Sequence, residues 1–289
     1  IHTSSENFFE RMSRQINYFD APIPTISYYV HNFLTERMKS KGFSVSISGT
    51  GADEIFSGYY DHYSYWLASM YSEKNFNSLY DEWKNSYGKF VDNPLIKDLS
   101  NFLNNKKFNK HLYHSKVQFE TLFNFEFNEV FEEDYFTDDV LRNRMINELS
   151  SEVVPVILFA DDLNSMMYSL ENRSPFLDKS LVEYAYTIPS KYLIKDGFPK
   201  WLLRNFDESL LPDTIRKDKR KRGFNTSINS VFDKKNIDFY NWMLKENRIF
   251  EIINKKKFKK FIDNDFNDNN SSKFMFNFIS NKIFLEEYS

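Results

Sequence analysis

The 289-residue chain is long enough for one or two domains with a substantial core, since 41% of its residues are hydrophobic and 18% are aromatic. A net charge of −3 gives no reason to expect nucleic acid or an anionic membrane as a partner, and no apolar run approaches the roughly 20 residues that span a bilayer. Cysteine is absent, which excludes disulfides, thiolate metal sites and a cysteine nucleophile from this sequence and agrees with a cytoplasmic location.

The N-terminal part predicts two helices and a strand. Apolar positions at helical spacing predict a helix over residues 4–19, which Pro22 and Pro24 end. Thr25 is suited to cap a second helix that extends to Met38. The alternating residues 43–47 then predict a strand, so the order of elements favours an α/β protein with a parallel sheet.

A glycine-rich turn follows this strand at residues 48–58 and holds three of the seven glycines of the chain. Such clustering indicates that the backbone needs conformations there that a side chain would hinder. A helix is predicted after it, from Ile55 to Met70. A strand, a tight glycine turn with acids at its end and a helix together predict a phosphate-binding edge. The simpler interpretation is a turn without a ligand, in which Asp53 and Glu54 stabilise a helix N-terminus.

The middle of the chain predicts mostly helices. Residues 71–150 contain several amphipathic stretches with no catalytic signature, and residues 104–107 predict a solvated loop. A helical stretch from residue 153 is predicted to end only at Pro175. Asp178 is placed to cap the next helix, which ends before Pro189.

The C-terminal part predicts a turn at residues 195–197 and a helix over residues 200–206, with Pro199 at its first position. A basic run at residues 216–222 is interpreted as a solvated face, except for Lys221, which leads into Gly223. The tail from Val231 is helical in pattern, with a polar break at residues 264–272. The histidines show no metal-ligand spacing and predict surface or core positions: His2, His31, His62, His111 and His114.

Three motifs in order resemble the synthetase domain of the asparagine synthetase family. Residues 48–59 are similar to the family pattern Ser-Gly-Glu-Gly-(Ala/Ser)-Asp-Glu, and residues 162–178 resemble its Asp-x-x-Ser-Met and Glu-x-Arg-x-Pro-Phe-Leu-Asp. The third motif runs from Asp196-Gly197 through Lys200 and Arg204 to Lys221-Arg222-Gly223-Phe224. The resemblance covers roughly residues 20–225.

The resemblance implies an ATP-dependent, amide-forming ligase that adenylates a carboxylate, with aspartate as the expected substrate and glutamine or ammonia as the nitrogen source. The implied fold is an adenine-nucleotide α-hydrolase-like parallel sheet, partial here and surrounded by helices. Adenylation needs cations and Mg²⁺ around the phosphates, so ATP and Mg²⁺ are the expected cofactors. The site residues that the motifs imply fall into three groups: Lys221, Glu171 and Thr50 as catalytic; Ser48, Gly49, Gly51 and Glu54 as nucleotide-binding; and Asp53 as the Mg²⁺ ligand.

Two departures from the family pattern shape these expectations. Thr50 stands where the family has glutamate, and threonine cannot act as a base in its place. The family's nucleotide loop, Ser-Gly-Gly-x-Asp-Ser, and its glutaminase domain are not in residues 1–289, so the chain, which begins at Ile1, is expected to be an N-terminally truncated synthetase domain, inactive alone.

The alternatives that remain are a family member acting on another carboxylate, such as a uronic acid, and a non-catalytic remnant of the fold. A homodimer is one expected assembly. For Glu171, Arg173 and Asp178, the alternative to a catalytic role is a buried ion pair with a helix cap.

Overall fold

The computed structural model describes residues 7–113, 119–126, 132–207, 209–221, 223, 226, 228–231, 236–263 and 268–288. Within these residues the protein is mainly helical, with two short strands, β1 (Val45–Ile47) and β2 (Glu171–Arg173). The α-helices are α1 Phe8–Phe19, α2 Ile26–Ser40, α3 Ala52–Phe56, α4 Tyr60–Ser69, α5 Phe76–Asn85, α6 Pro94–Lys97, α7 Ser100–Asn104, α8 Val140–Asn147, α9 Val154–Met166, α10 Lys179–Thr187, α11 Trp201–Asn205, α12 Asp213–Arg216, α13 Ile237–Leu244, α14 Ile249–Ile252, α15 Lys255–Ile262 and α16 Asn269–Glu287.

The two strands pair in parallel, with Val45 opposite Glu171 and Ile47 opposite Arg173. The predicted parallel sheet is therefore confirmed as a small, two-stranded one. The prediction of a helix that continues to Pro175 is wrong, because α9 ends at Met166 and the chain then forms β2. Three residues are too few to show the alternation by which a strand is recognised.

The glycine turn also divides one predicted helix into two. The helix expected from Ile55 to Met70 is instead α3 and α4, which are separated at Ser57 and Gly58. Ser57 has a left-handed backbone (φ 61°) and the amide of Gly58 donates to the carbonyl of Asp53, which closes α3 after five residues. The apolar pattern continues across this break because both short helices pack into the interior.

Two further predictions of helix ends need correction. Thr25 occupies the position before α2 with an extended backbone, but its side chain makes no capping hydrogen bond. Pro199 is not the first residue of α11, because Lys200 precedes that helix in a left-handed conformation (φ 55°). In contrast, Asp178 caps α10 as predicted, its carboxylate accepting from the amides of Ser180 and Leu181.

The described hydrophobic residues form two large clusters and one small one. The first joins α1 and α2 to the C-terminal helices, and the second joins α4, α5 and α8. The small cluster, Ile55, Phe56 and Ala185, fixes α3 against α10 and so positions the acids of α3. In the described part of the chain, no helix combines the length and the apolar character needed to cross a membrane.

Candidate active site

The glycine turn lies at the carboxyl end of the parallel strands. The amide of Ser48 donates to the carbonyl of Arg173 (2.8 Å), which extends the strand pairing by one residue. Gly51 has φ 95°, and a Cβ there would lie 2.4 Å from the Leu177 side chain, so this position requires glycine. The loops that leave β1 and β2 are thereby held side by side, at the edge where α/β sheets bind their ligands.

Asp53, on α3, is the centre of the site. Lys200 Nζ lies 2.6 Å from its Oδ1 and Lys221 Nζ lies 2.7 Å from its Oδ2. Burial alone would raise the pKa of Asp53, but the charges of Lys221 and Lys200 lower it below the ordinary value of 3.8. The carboxylate is therefore ionised at neutral pH and is shared between two ammonium groups that come from distant parts of the chain.

Gly58 makes room for this arrangement. A Cβ at this buried position would lie 1.5 Å from Asp53 Oδ1 and 2.4 Å from Lys200 Cε. Any larger residue would occupy the space of the carboxylate itself. The glycine is thus a structural requirement of the site.

A cavity of about 550 Å³ opens beside Asp53. The described residues that line it include five basic and two acidic side chains: Lys200, Arg204, Lys219, Arg220 and Lys221, with Asp53 and Asp218. The excess of basic groups favours an anionic ligand, and the volume is large enough for a group the size of a nucleotide's phosphates.

Glu54, which follows Asp53 on α3, is buried. Its Oε1 accepts a hydrogen bond from the Tyr59 hydroxyl (2.5 Å), and the Tyr59 ring lies 4.2 Å from Lys221 Nζ. Burial raises the pKa of Glu54, and the Tyr59 hydrogen bond offsets part of this rise. Glu54 therefore supports Lys221 through Tyr59, whereas its predicted contact with a nucleotide stays a prediction.

The other predicted residues are divided between the two ends of the strand pair. Ser48 and Thr50 lie at the carboxyl end, where their hydroxyls are 3.2 Å apart. Glu171 lies at the amino end of β2, where it pairs with Val45 of β1. Its Oε1 is 2.8 Å from Arg173 Nε. This ion pair is exposed, so the alternative of a buried pair is wrong, and the catalytic role of Glu171 stays a prediction.

The donor set around Asp53 bears on the predicted Mg²⁺ site. Mg²⁺ is commonly held by one or two carboxylates together with substrate phosphates and water. Asp53 fits such a shared site, because it is an ionised oxygen donor at the wall of an anion pocket. It does not form a closed protein cage, since both of its oxygens already contact lysines.

A second group of potential metal ligands, Asp61, His62 and Glu148, is fully buried next to α8. Arg144 lies 3.0 Å from Glu148 and 3.6 Å from Asp61, and His62 Nε2 is 2.6 Å from Glu148. The guanidinium thus supplies the positive charge that a metal would bring. The prediction that His62 is a core residue agrees with this arrangement, and the group is a structural ion network.

Sequence reasoning assigned no site role to three residues that contact the site: Lys200, Tyr59 and Asp161. Lys200 and Tyr59 lie within the motifs that resemble the family, so their positions in those motifs could have indicated a role. Asp161 precedes the second motif and carried none.

A glycine turn at the carboxyl end of parallel strands, beside a basic pocket with one ionised acid, is typical of α/β proteins that bind phosphorylated ligands. The Asparagine synthase family model matches residues 1–280, and the chain belongs to this family.

Two relatives from Bacillus subtilis (strain 168) are similar to the chain. It is 25% identical over 242 residues to asparagine synthetase (glutamine-hydrolyzing) 1, a match that covers 78% of this chain and 37% of that protein. It is 30% identical over 180 residues to asparagine synthetase (glutamine-hydrolyzing) 3, which covers 61% of this chain and 25% of that protein. The chain therefore matches well under half the length of either relative.

Proposed function

We propose that the chain is the amide-forming part of an ATP-dependent ligase, in which a carboxylate is adenylated and ammonia then displaces AMP. Family membership and the names of the two relatives support aspartate as the carboxylate and glutamine as the nitrogen source. The observation that carries the proposal is the contact of Asp53 with Lys200 and Lys221 at the wall of the basic pocket. The proposal does not assign the glutaminase step or the Ser-Gly-Gly-x-Asp-Ser loop to residues 1–289, and the fold proposed for the domain is of the adenine-nucleotide α-hydrolase type.

The chemistry follows from the charges. Attack of a carboxylate oxygen on the α-phosphorus of ATP forms an acyl-adenylate and releases pyrophosphate, so negative charge grows on the phosphates. Lys221 and Lys200 lie where they can bind those oxygens, and preorganised cations of this kind stabilise the transition state. Mg²⁺, held by Asp53 together with the phosphates, would neutralise further phosphate charge.

The glycine turn has a different task in this proposal. Gly49 has open space around the position of its missing Cβ, so a ligand can approach the backbone closely there. Ser48, Gly49 and Gly51 would contact the nucleotide from the sheet side, while the lysines contact its phosphates.

The proposal is tested with the intact natural protein by isotope exchange between ATP and pyrophosphate. We expect exchange that depends on aspartate and Mg²⁺ and that Lys221→Ala abolishes, with little change in the free energy of unfolding. Lys217→Ala is the matched control, because Lys217 belongs to the same basic run but pairs with Asp213 and is exposed. Exchange that ignores aspartate would contradict the substrate, and full exchange by Lys221→Ala would contradict the role of that lysine.

A further inference from the structure

Four side chains form a continuous hydrogen-bonded chain beside the glycine turn. Ser48 Oγ lies 2.8 Å from Ser174 Oγ and donates to Thr50 Oγ1 at 3.2 Å. Thr50 Oγ1 in turn donates to Asp161 Oδ2 at 3.5 Å. Because a hydroxyl has one proton, the donation from Ser48 to Thr50 requires Ser174 to donate to Ser48. All donors therefore point toward Asp161.

Asp161 lies at the end of this chain. It lies on α9 and is 8% exposed, and its other oxygen, Oδ1, is 3.2 Å from His31 Nδ1 on α2. Burial and the charge of Asp161 raise the pKa of the neighbouring Tyr28 to about 12. Helix α9, which is outside the glycine turn, thus places a carboxylate next to the Thr50 hydroxyl.

We propose that Thr50 and Asp161 form the proton relay of the amide-forming step, an inference that rests on the proposed function. Ammonia attacks the carbonyl carbon of the acyl-adenylate, a C–N bond forms, and the bond from that carbon to the phosphate oxygen breaks as AMP leaves. The nitrogen must also lose a proton. This proton passes to Thr50 Oγ1 as the Thr50 hydroxyl proton passes to Asp161.

The chemistry of a hydroxyl explains why threonine suits this position. Its oxygen has two acceptor lone pairs, of which Ser48 uses one, so the other can accept from the attacking nitrogen while the proton points to Asp161. The 3.5 Å distance is long, and catalytic hydrogen bonds commonly shorten only when substrate is bound. The relay assigns Thr50 as a catalytic residue and Asp161 as the base that acts through it.

The experiment separates the two half-reactions in the intact natural protein. ATP–pyrophosphate exchange reports adenylation, and amide product with ammonia reports the second step. Thr50→Val, which keeps shape but removes the hydroxyl, and Asp161→Asn are expected to retain exchange and to lose amide formation by about 10²-fold. Thr50→Ser keeps the hydroxyl and is expected to lose much less amide formation than Thr50→Val. Asp81→Asn, at an exposed aspartate of α5, is the control and is expected to leave both unchanged.

A second nucleophile distinguishes a relay from a structural role. Hydroxylamine is a weaker base than ammonia, so its nitrogen loses a proton more readily once it has attacked. We expect it to restore product formation in Thr50→Val and Asp161→Asn. Equal loss with ammonia and hydroxylamine, or equal loss in Thr50→Val and Thr50→Ser, would overturn the relay. Thr50→Val with wild-type amide formation would also overturn it, and absence of exchange in the wild type would instead overturn the proposed function.

Discussion

Gly58→Ala is the most direct perturbation of the Asp53 site, because it adds one methyl group and no charge. The new Cβ would lie 1.5 Å from Asp53 Oδ1, whereas ordinary contacts begin near 3.4 Å. The carboxylate must therefore move by about 2 Å, since the glycine backbone is fixed by its hydrogen bond to Asp53 and by burial. A shift of that size breaks the contacts with Lys200 and Lys221, which are 2.6 and 2.7 Å long.

The expected effects on stability and activity differ in size. Overpacking of one methyl group lowers the free energy of unfolding by about 1–3 kcal/mol. A misplacement of about 1 Å in an active site can lower the rate by about 10²-fold, so ATP–pyrophosphate exchange should fall at least that far. Chemical denaturation and the exchange assay, both on the intact natural protein, measure the two quantities.

Gly49→Ala is the control for the stability measurement, because a Cβ there meets no atom within 4 Å. Its free energy of unfolding is expected to equal that of the wild type. Gly58→Ala with undiminished exchange would show that the carboxylate of Asp53 has no part in adenylation. A stability loss with a proportional loss of folded protein, and normal exchange per folded molecule, would lead to the same conclusion.

Two predictions concern the buried ion network. Arg144→Leu removes the guanidinium that contacts both of the buried carboxylates of Asp61 and Glu148, so the free energy of unfolding should fall by about 3–5 kcal/mol. Denaturant titration measures this loss, and a loss below about 1 kcal/mol would contradict the importance of the network. Burial would lower the pKa of His62, but the Glu148 charge and hydrogen bond raise it above 6.5, so the folded state binds this proton more tightly. This stabilisation is complete below pH 6.5 and is lost as the pH rises through the folded-state pKa of His62. In unfolding free energies measured over a pH series, His62→Gln should remove this loss of stability with rising pH.

The parts of the fold that were predictable from sequence are those with local causes. The glycine cluster at residues 48–58 and the acid at residue 178 act through backbone conformation and capping within a few residues, and both were recognisable. The break between α3 and α4 was missed, because the apolar pattern is the same on both sides of Ser57. Strand β2 was missed because a three-residue strand takes its identity from pairing with β1, which no local pattern records.

In the candidate site, too, the residues within motifs could be predicted and a residue placed by long-range packing could not. Motifs indicated Asp53 and Lys221, and the structure brings these two together across 168 positions of sequence. Asp161 was not recognised, since its importance comes from the packing of α9 beside the glycine turn and α2. A motif does not record a carboxylate that comes from another helix. The proximity of Asp161 to Thr50, which stands where the family has glutamate, is therefore visible only in the folded chain.

The charge of the pocket explains why Asp53 pairs with two lysines. The described lining carries five basic and two acidic side chains, a net charge of +3 in a chain whose net charge is −3. Without a counter-charge, Lys200 and Lys221 would repel each other, and Asp53 holds both ammonium groups close together. A polyanion entering the pocket gives both lysines a second acceptor without requiring them to move far. Under the proposed function, the acid would keep the cations in place for the phosphates, which is the preorganisation that electrostatic catalysis requires.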